Sequence, residues 1–113
     1  MFAGLQIQIN ALNTIIPDSF IFILDCTDRS FIYKSSDCAA AINEILSLDK
    51  SKGIDNLFDS SEYYNSESAS HSYMIKKLSS HTFLGFFVLK EKFSEQSIKD
   101  AKEFFLKIKS SSD

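Results

Sequence analysis

Glycine and proline are scarce in this chain. Gly4, Gly53 and Gly85 are the only glycines, and Pro17 is the only proline. No glycine-rich loop is therefore available to cradle a phosphate, and no stretch has linker composition apart from one short polar segment. Cysteine is limited to Cys26 and Cys38. Two cysteines do not staple a chain with this much apolar content, and Cys38 opens an alanine-rich apolar face, the usual setting of a buried free thiol. A reducing, cytoplasmic compartment fits that usage. No uninterrupted apolar run exceeds five residues, so no membrane-spanning helix is expected. The N-terminus shows no basic segment leading into an apolar block and a small-residue cleavage site, so a signal peptide is not expected either.

What is present is apolar and aromatic. Hydrophobic residues make up 44% of the 113 residues, 11 of them Phe, enough for one core and one domain over residues 1–113. Net charge is −3, which gives no global attraction to nucleic acid. The charge is unevenly placed. Residues 17–67 hold ten acids against four bases, and residues 76–109 hold eight Lys against four acids. Those lysines sit mostly between apolar positions, the pattern of solvated strand and helix faces.

Leu5, Ile9, Leu12 and Ile16 recur at helical spacing up to Pro17, which predicts a first helix over 3–16. Two dense runs, Phe20–Leu24 and Phe31–Tyr33, flank the polar stretch Asp25–Ser30 and read as a hairpin. Asp25 and Asp28 can close such a turn without glycine. Ser35, Ser36 and Asp37 are N-cap candidates for a second helix, with Cys38, Ile42, Ile45 and Leu46 on one face and Gly53 as its C-terminal cap. Leu57 and Phe58 are expected to anchor residues 54–70 to the core. Tyr63 and Tyr64 suit a short strand, and "NSESAS" reads as an exposed loop. A second hairpin is expected over 71–78 and 81–91. There Phe83, Phe87 and Leu89 point to one face, and Leu84, Phe86 and Val88 to the other. Gly85 in mid-strand predicts close backbone contact with a helix or a partner. Ser94 caps a closing helix whose stripe is Ile98, Ala101, Phe104, Phe105 and Ile108. Antiparallel hairpins with three helices give an α+β class.

No catalytic constellation stands out. His71 and His81 flank the second hairpin but have no companion cluster of Cys or carboxylates for a metal. Cys26 has no positioned base to make it a nucleophile. Asp25 and Asp28 are too few oxygen donors for calcium. The strand Phe residues lack the Arg and Gly neighbours of a base-stacking nucleic-acid surface. No catalytic, cofactor or metal residue is assigned, and the chain is expected not to be an enzyme. Strands apolar on both faces, with a small-residue helix, do suit a protein partner.

The element order and "IIPDSFIFILDCTDRSFIYKSSDCAAAINEIL", residues 15–46, resemble the Roadblock family. That family includes a dynein light chain, lysosomal Ragulator scaffold subunits and bacterial GTPase-activating dimers. "HTFLGFFVLKEKFSEQSIKDAKEFF" is similar to the family's last strand and closing helix. One departure is Asp28-Arg29, where the family commonly has Asp-Gly. The resemblance implies a central antiparallel sheet with helices at both termini and one after the first hairpin. It also implies a scaffold subunit without cofactor, paired with itself or a similar chain, with a small GTPase as candidate partner. Cytoplasmic placement, or the periphery of an organelle membrane within a complex, follows. Pairing would use the helix at 37–49 and a strand near 31–35, hence Phe31, Tyr33, Cys38, Ala40, Ala41, Ile42 and Ile45. "SFIFILDCTDRSFIYKSSDCA" also resembles the opening strands of PAS sensory domains. That alternative, or a profilin-like one, implies a small-molecule pocket lined by residues such as Phe22, Ile42 and Leu57.

Overall fold

A computed structural model describes residues 3–17, 19–25, 27–28, 30–53, 63–79 and 81–108. The expected Leu57 and Phe58 anchors and Cys26 lie outside the described residues. The element order is α1 (Ala3–Ile15), β1 (Phe20–Asp25), β2 (Ser30–Lys34), α2 (Ala39–Lys52), β3 (Tyr63–Glu67), β4 (His71–Lys77), β5 (Thr82–Leu89), a short 3-10 helix (Lys90–Lys92) and α3 (Glu95–Leu106). The strands form one five-stranded antiparallel sheet in the order β2-β1-β5-β4-β3. The architecture is the expected α+β one.

Periodicity explains the layers. In β5, Leu84, Phe86 and Val88 pack with Ile21, Ile23 and Met74 beneath α1 and α3. Phe83 and Phe87 pack with Phe20, Phe22 and Leu24 beneath α2. Every second residue faces the same layer, as the strand period of two requires. Ile9, Leu12 and Ile16 of the first helical stripe are buried, as are Ile98, Ala101, Phe105 and Ile108 of the last. The chain's own terminal helices thus cover the second sheet face. Strands apolar on both faces need no partner to explain them.

Helix ends follow local chemistry. The Ser94 hydroxyl accepts the Ser97 N–H at 3.1 Å and caps α3. Gly53 sits at φ 79° after α2, a left-handed conformation that favours glycine. The Ser35 hydroxyl does not cap α2. It accepts the Ile21 N–H at 2.8 Å and donates to the Ser19 carbonyl at 3.1 Å, stitching the end of β2 to the start of β1. The first turn of α2 instead closes through the Ile42 N–H on the Cys38 carbonyl at 3.0 Å.

Four further expectations are corrected. Asn65, Ser66 and Glu67 belong to β3 rather than to a loop, because each pairs with β4. Gly85 makes room not for a helix or partner but for the ring of its cross-strand neighbour Phe22. Lys76 is no solvated strand lysine. It is 5% exposed, and its ammonium donates to the Leu106 carbonyl at 3.2 Å and to that of Ile108. A cation there complements the C-terminal end of α3. Leu46 is not on the core face of α2 but 38% exposed.

Candidate functional site

The expected interface residues divide once the helix is built. At 100° per residue, Ala41, Ile45 and Leu48 form the side of α2 that meets the sheet. Ala41 and Ile45 are fully buried in the chain's own core. Cys38 and Ile42 are half-buried on one flank, and exposed Leu46 continues it. Ala40 is exposed and lies about 160° around the helix from Ile42. It shares the opposite flank with Glu44. That flank faces β4, because Glu44 Oε1 stands 3.5 Å from His71 Nε2. The outward residues of its first turns, Ala39, Ala40, Asn43, Leu46 and Ser47, are all exposed and carry no charge, and the exposed Lys50 follows on the same side in the last turn.

Two strand edges adjoin α2, one at each end of the sheet. The β2 edge is irregular. Leu24 pairs with Phe31 but Ile23 pairs with Tyr33, so Ile32 is an extra residue in a β-bulge. A one-residue slip reverses facing. Phe31 accordingly packs beneath α2, edge-on to Phe20 and Phe22 at 6.1 and 5.7 Å. Tyr33 packs on the other face with the α1–α3 layer. Sequence alternation alone puts Phe31 and Tyr33 together; the bulge separates them. Ile32 itself is 46% exposed. The β3 edge is regular, with consecutive pairing from Tyr63–Lys76 to Glu67–Ser72. It contains no lysine and no proline.

His71 is the polar residue beneath α2 that periodicity did not single out. Its ring stacks on Phe87 at 5.0 Å and Tyr73 at 5.9 Å. Its Nδ1 lies 3.2 Å from Ser68 Oγ. Ser68, His71 and Glu44 therefore line up as a serine–histidine–acid chain. The serine oxygen, however, accepts the N–H groups of both Ser70 and His71 at 3.2 Å, which is turn closure. His81 is at the opposite end of the hairpin, about 20 Å along the strand. Among the described residues no group of three His, Cys, Asp or Glu could hold a metal. Between α2 and the sheet, Phe20, Phe22 and Phe83 are fully buried, so this interior is packed with rings where a sensory domain would hold a ligand. Leu57, the third expected pocket residue, lies outside the described residues.

On the far side of the sheet, Glu67 is clasped by two lysines. Lys90 Nζ is 3.1 Å from Oε2, and Lys102 pairs with Oε1. The Lys102 and Lys90 ammonium groups beside Glu67 hold its carboxyl below the usual range. Burial pushes the Tyr73 phenol up.

No protein-family model matches the chain, and no curated protein matches it. Solved structures do, among them two described as MglB. The chain is 14% identical to Myxococcus xanthus MglB, with 95% of each chain covered and a TM-score of 0.53. It is 7% identical to a structure described as MglB with tetrameric arrangement, covering 89% of this chain and 83% of that one at a TM-score of 0.52. At such identities the likeness is one of fold, and it extends over nearly the whole length. No helix among the described residues is long and apolar enough to cross a membrane.

Proposed function

We propose that the protein is a non-catalytic scaffold subunit that pairs through the outer side of α2, with a second copy or a similar chain. The observation that carries this reading is the run of small or uncharged outward residues Ala39, Ala40, Asn43, Leu46 and Ser47, flanked by Glu44 and followed by Lys50, in a chain where 24% of residues are charged. A solvated helix face ordinarily carries charge. Small residues here allow two helices to approach closely. The resemblance to the Roadblock family and the fold likeness to MglB support pairing, and the resemblance makes a small GTPase the candidate client. The cytoplasm, or the rim of an organelle membrane within a complex, is the setting that goes with that reading.

Strand geometry favours β3 as the edge that continues the sheet. A bulge and a lysine blunt β2 against strand addition, whereas β3 is regular and carries neither lysine nor proline. Ala40, Asn43 and Ser47 would then meet their counterparts across a two-fold axis. Two helices and two strands can supply the roughly 1,200–2,000 Å² of a specific interface. The β2 arrangement with Phe31, Tyr33, Cys38 and Ile42 is the second reading, because Ile32 and Leu46 are exposed there.

Sedimentation at micromolar concentration separates the two. With β3 as the edge, Ala40→Glu dissociates the pair and Ile32→Glu with Leu46→Glu does not. The opposite pattern selects β2. A clean wild-type monomer near 12.8 kDa removes self-pairing altogether.

A further inference from the structure

We propose that each copy of the paired molecule seats its Tyr63 against the Glu67 clasp of the other, with Asn65 facing its own counterpart at the two-fold axis. This rests on pairing through β3. The backbone decides which groups of β3 are available. The Ser68 N–H donates to the His71 carbonyl at 2.9 Å, closing the β3–β4 hairpin. Antiparallel ladders alternate, so Ser66 and Tyr64 also exchange bonds with their β4 partners Tyr73 and Ile75. The far side of β4 keeps the same phase, because the Lys90 N–H donates to the Ser70 carbonyl at 2.9 Å and so turns Ser72 toward β5. Tyr63, Asn65 and Glu67 therefore direct their N–H and C=O groups to the open edge of the sheet. Their side chains share one face. Tyr64 packs in the layer beneath α2, whereas Glu67 meets Lys102 of α3 on the opposite face.

Symmetry then selects the register. Two α2 helices that meet lie on the same face of the joined sheet, so the two-fold axis is perpendicular to it and the β3 strands run antiparallel. Opposed residues in such a pair point to the same face, so Tyr63, Asn65 and Glu67 must oppose one another. Centring on Asn65 sets each Tyr63 opposite a Glu67 and satisfies all three outward residues of both strands. Every slipped register leaves outward groups without a partner in the opposite β3. At this register Tyr63, 43% exposed in one copy, has its Cα about 5.5 Å from that of Glu67 in the other. Its hydroxyl is placed to donate to the carboxylate that Lys90 and Lys102 hold, and its ring face attracts their ammonium groups. Phe93 and Ile98 line the same groove as Glu67 and give the ring apolar surface.

The test oxidises Asn65→Cys with copper phenanthroline and maps the joined peptides by mass spectrometry. Cα atoms about 5.5 Å apart suit a disulfide, so the thiols introduced at 65 should join each other across the axis. Tyr63→Cys mixed with Glu67→Cys should give the mixed disulfide. Tyr63→Cys alone should not join itself, because the two copies of that position lie about 14 Å apart. In sedimentation, Tyr63→Ala should raise the dimer dissociation constant about two- to thirty-fold, since the cross-strand pair occurs twice. A dimer whose thiols at 65 stay apart, whose Tyr63→Cys joins itself, or whose Tyr63→Ala variant binds as tightly as wild type overturns the register and leaves pairing through α2 intact. A monomer overturns both.

Discussion

Gly85→Ala is the sharpest test of how the sheet is packed. A Cβ at this position would lie 2.7 Å from Phe22 Cε1, nearer still to Cζ, and 2.9 Å from the Met74 carbonyl oxygen. Neither side can give freely. Phe22 is fully buried, stacked on Phe20 at 5.6 Å and edge-on to Phe31 at 5.7 Å. The Met74 carbonyl belongs to the backbone of β4, the next strand. Moving the ring by roughly 1 Å is overpacking of a filled core, which costs about 1–3 kcal/mol. Reduced freedom of the unfolded chain offsets about 0.4–1 kcal/mol of that. The net expectation is about 1–2 kcal/mol of destabilisation, read in urea as a lower midpoint at unchanged slope, or as roughly 4–8 °C in Tm. Combining Gly85→Ala with Phe22→Leu should be less damaging than the sum, with a coupling of about 1 kcal/mol. A neutral or stabilising Gly85→Ala, or strictly additive penalties, would refute the account of glycine as space for the Phe22 ring.

Other expectations follow from single contacts. Ser35→Ala removes both bonds that tie β2 to β1 and should cost about 1–2 kcal/mol, with faster hydrogen exchange at Ile21 as the local sign. Tyr73 has a raised folded-state pKa, so its contribution is complete below the unfolded value of 10 and is lost as pH rises through and beyond it. Alkaline unfolding should therefore come at higher pH in Tyr73→Phe, once each curve is scaled to its own neutral stability. Glu67 has a lowered pKa, so its contribution is present above the unfolded 4.5 and lost as pH falls through the folded value. At 43% side-chain exposure the clasp is screened, and Glu67→Gln should cost no more than about 1 kcal/mol at neutral pH, with a flatter stability profile in acid.

Elements whose signal lies within one stretch of chain were legible. The alternation of β5, the Ser94 cap, the α3 stripe and Gly53 all depend on neighbours a few residues away. What escaped depends on the strand across the ladder. The bulge at Ile32 is visible only when β2 is set against β1, so alternation put Phe31 and Tyr33 on one face. Gly85 explains itself only beside Phe22. Lys76 looks like any strand lysine until α3 ends above it. His71 and Glu44 are 27 positions apart in the chain, and no local pattern joins them. Along α2, the adjacent alanines 40 and 41 differ completely, one exposed and one buried. Composition marked the helix as small and apolar but could not say which alanine faced out.

A sheet roofed on both sides by its own helices constrains how such a chain can diverge. Interior positions answer to volume and apolarity, so they can drift among similar side chains without altering what the molecule recognises. Recognition is written on the rim: two five-residue edge strands and the outer surfaces of the helices. Duplicated copies of a gene for this fold could therefore acquire new partners through a handful of perimeter substitutions, while the buried interior stayed interchangeable between them.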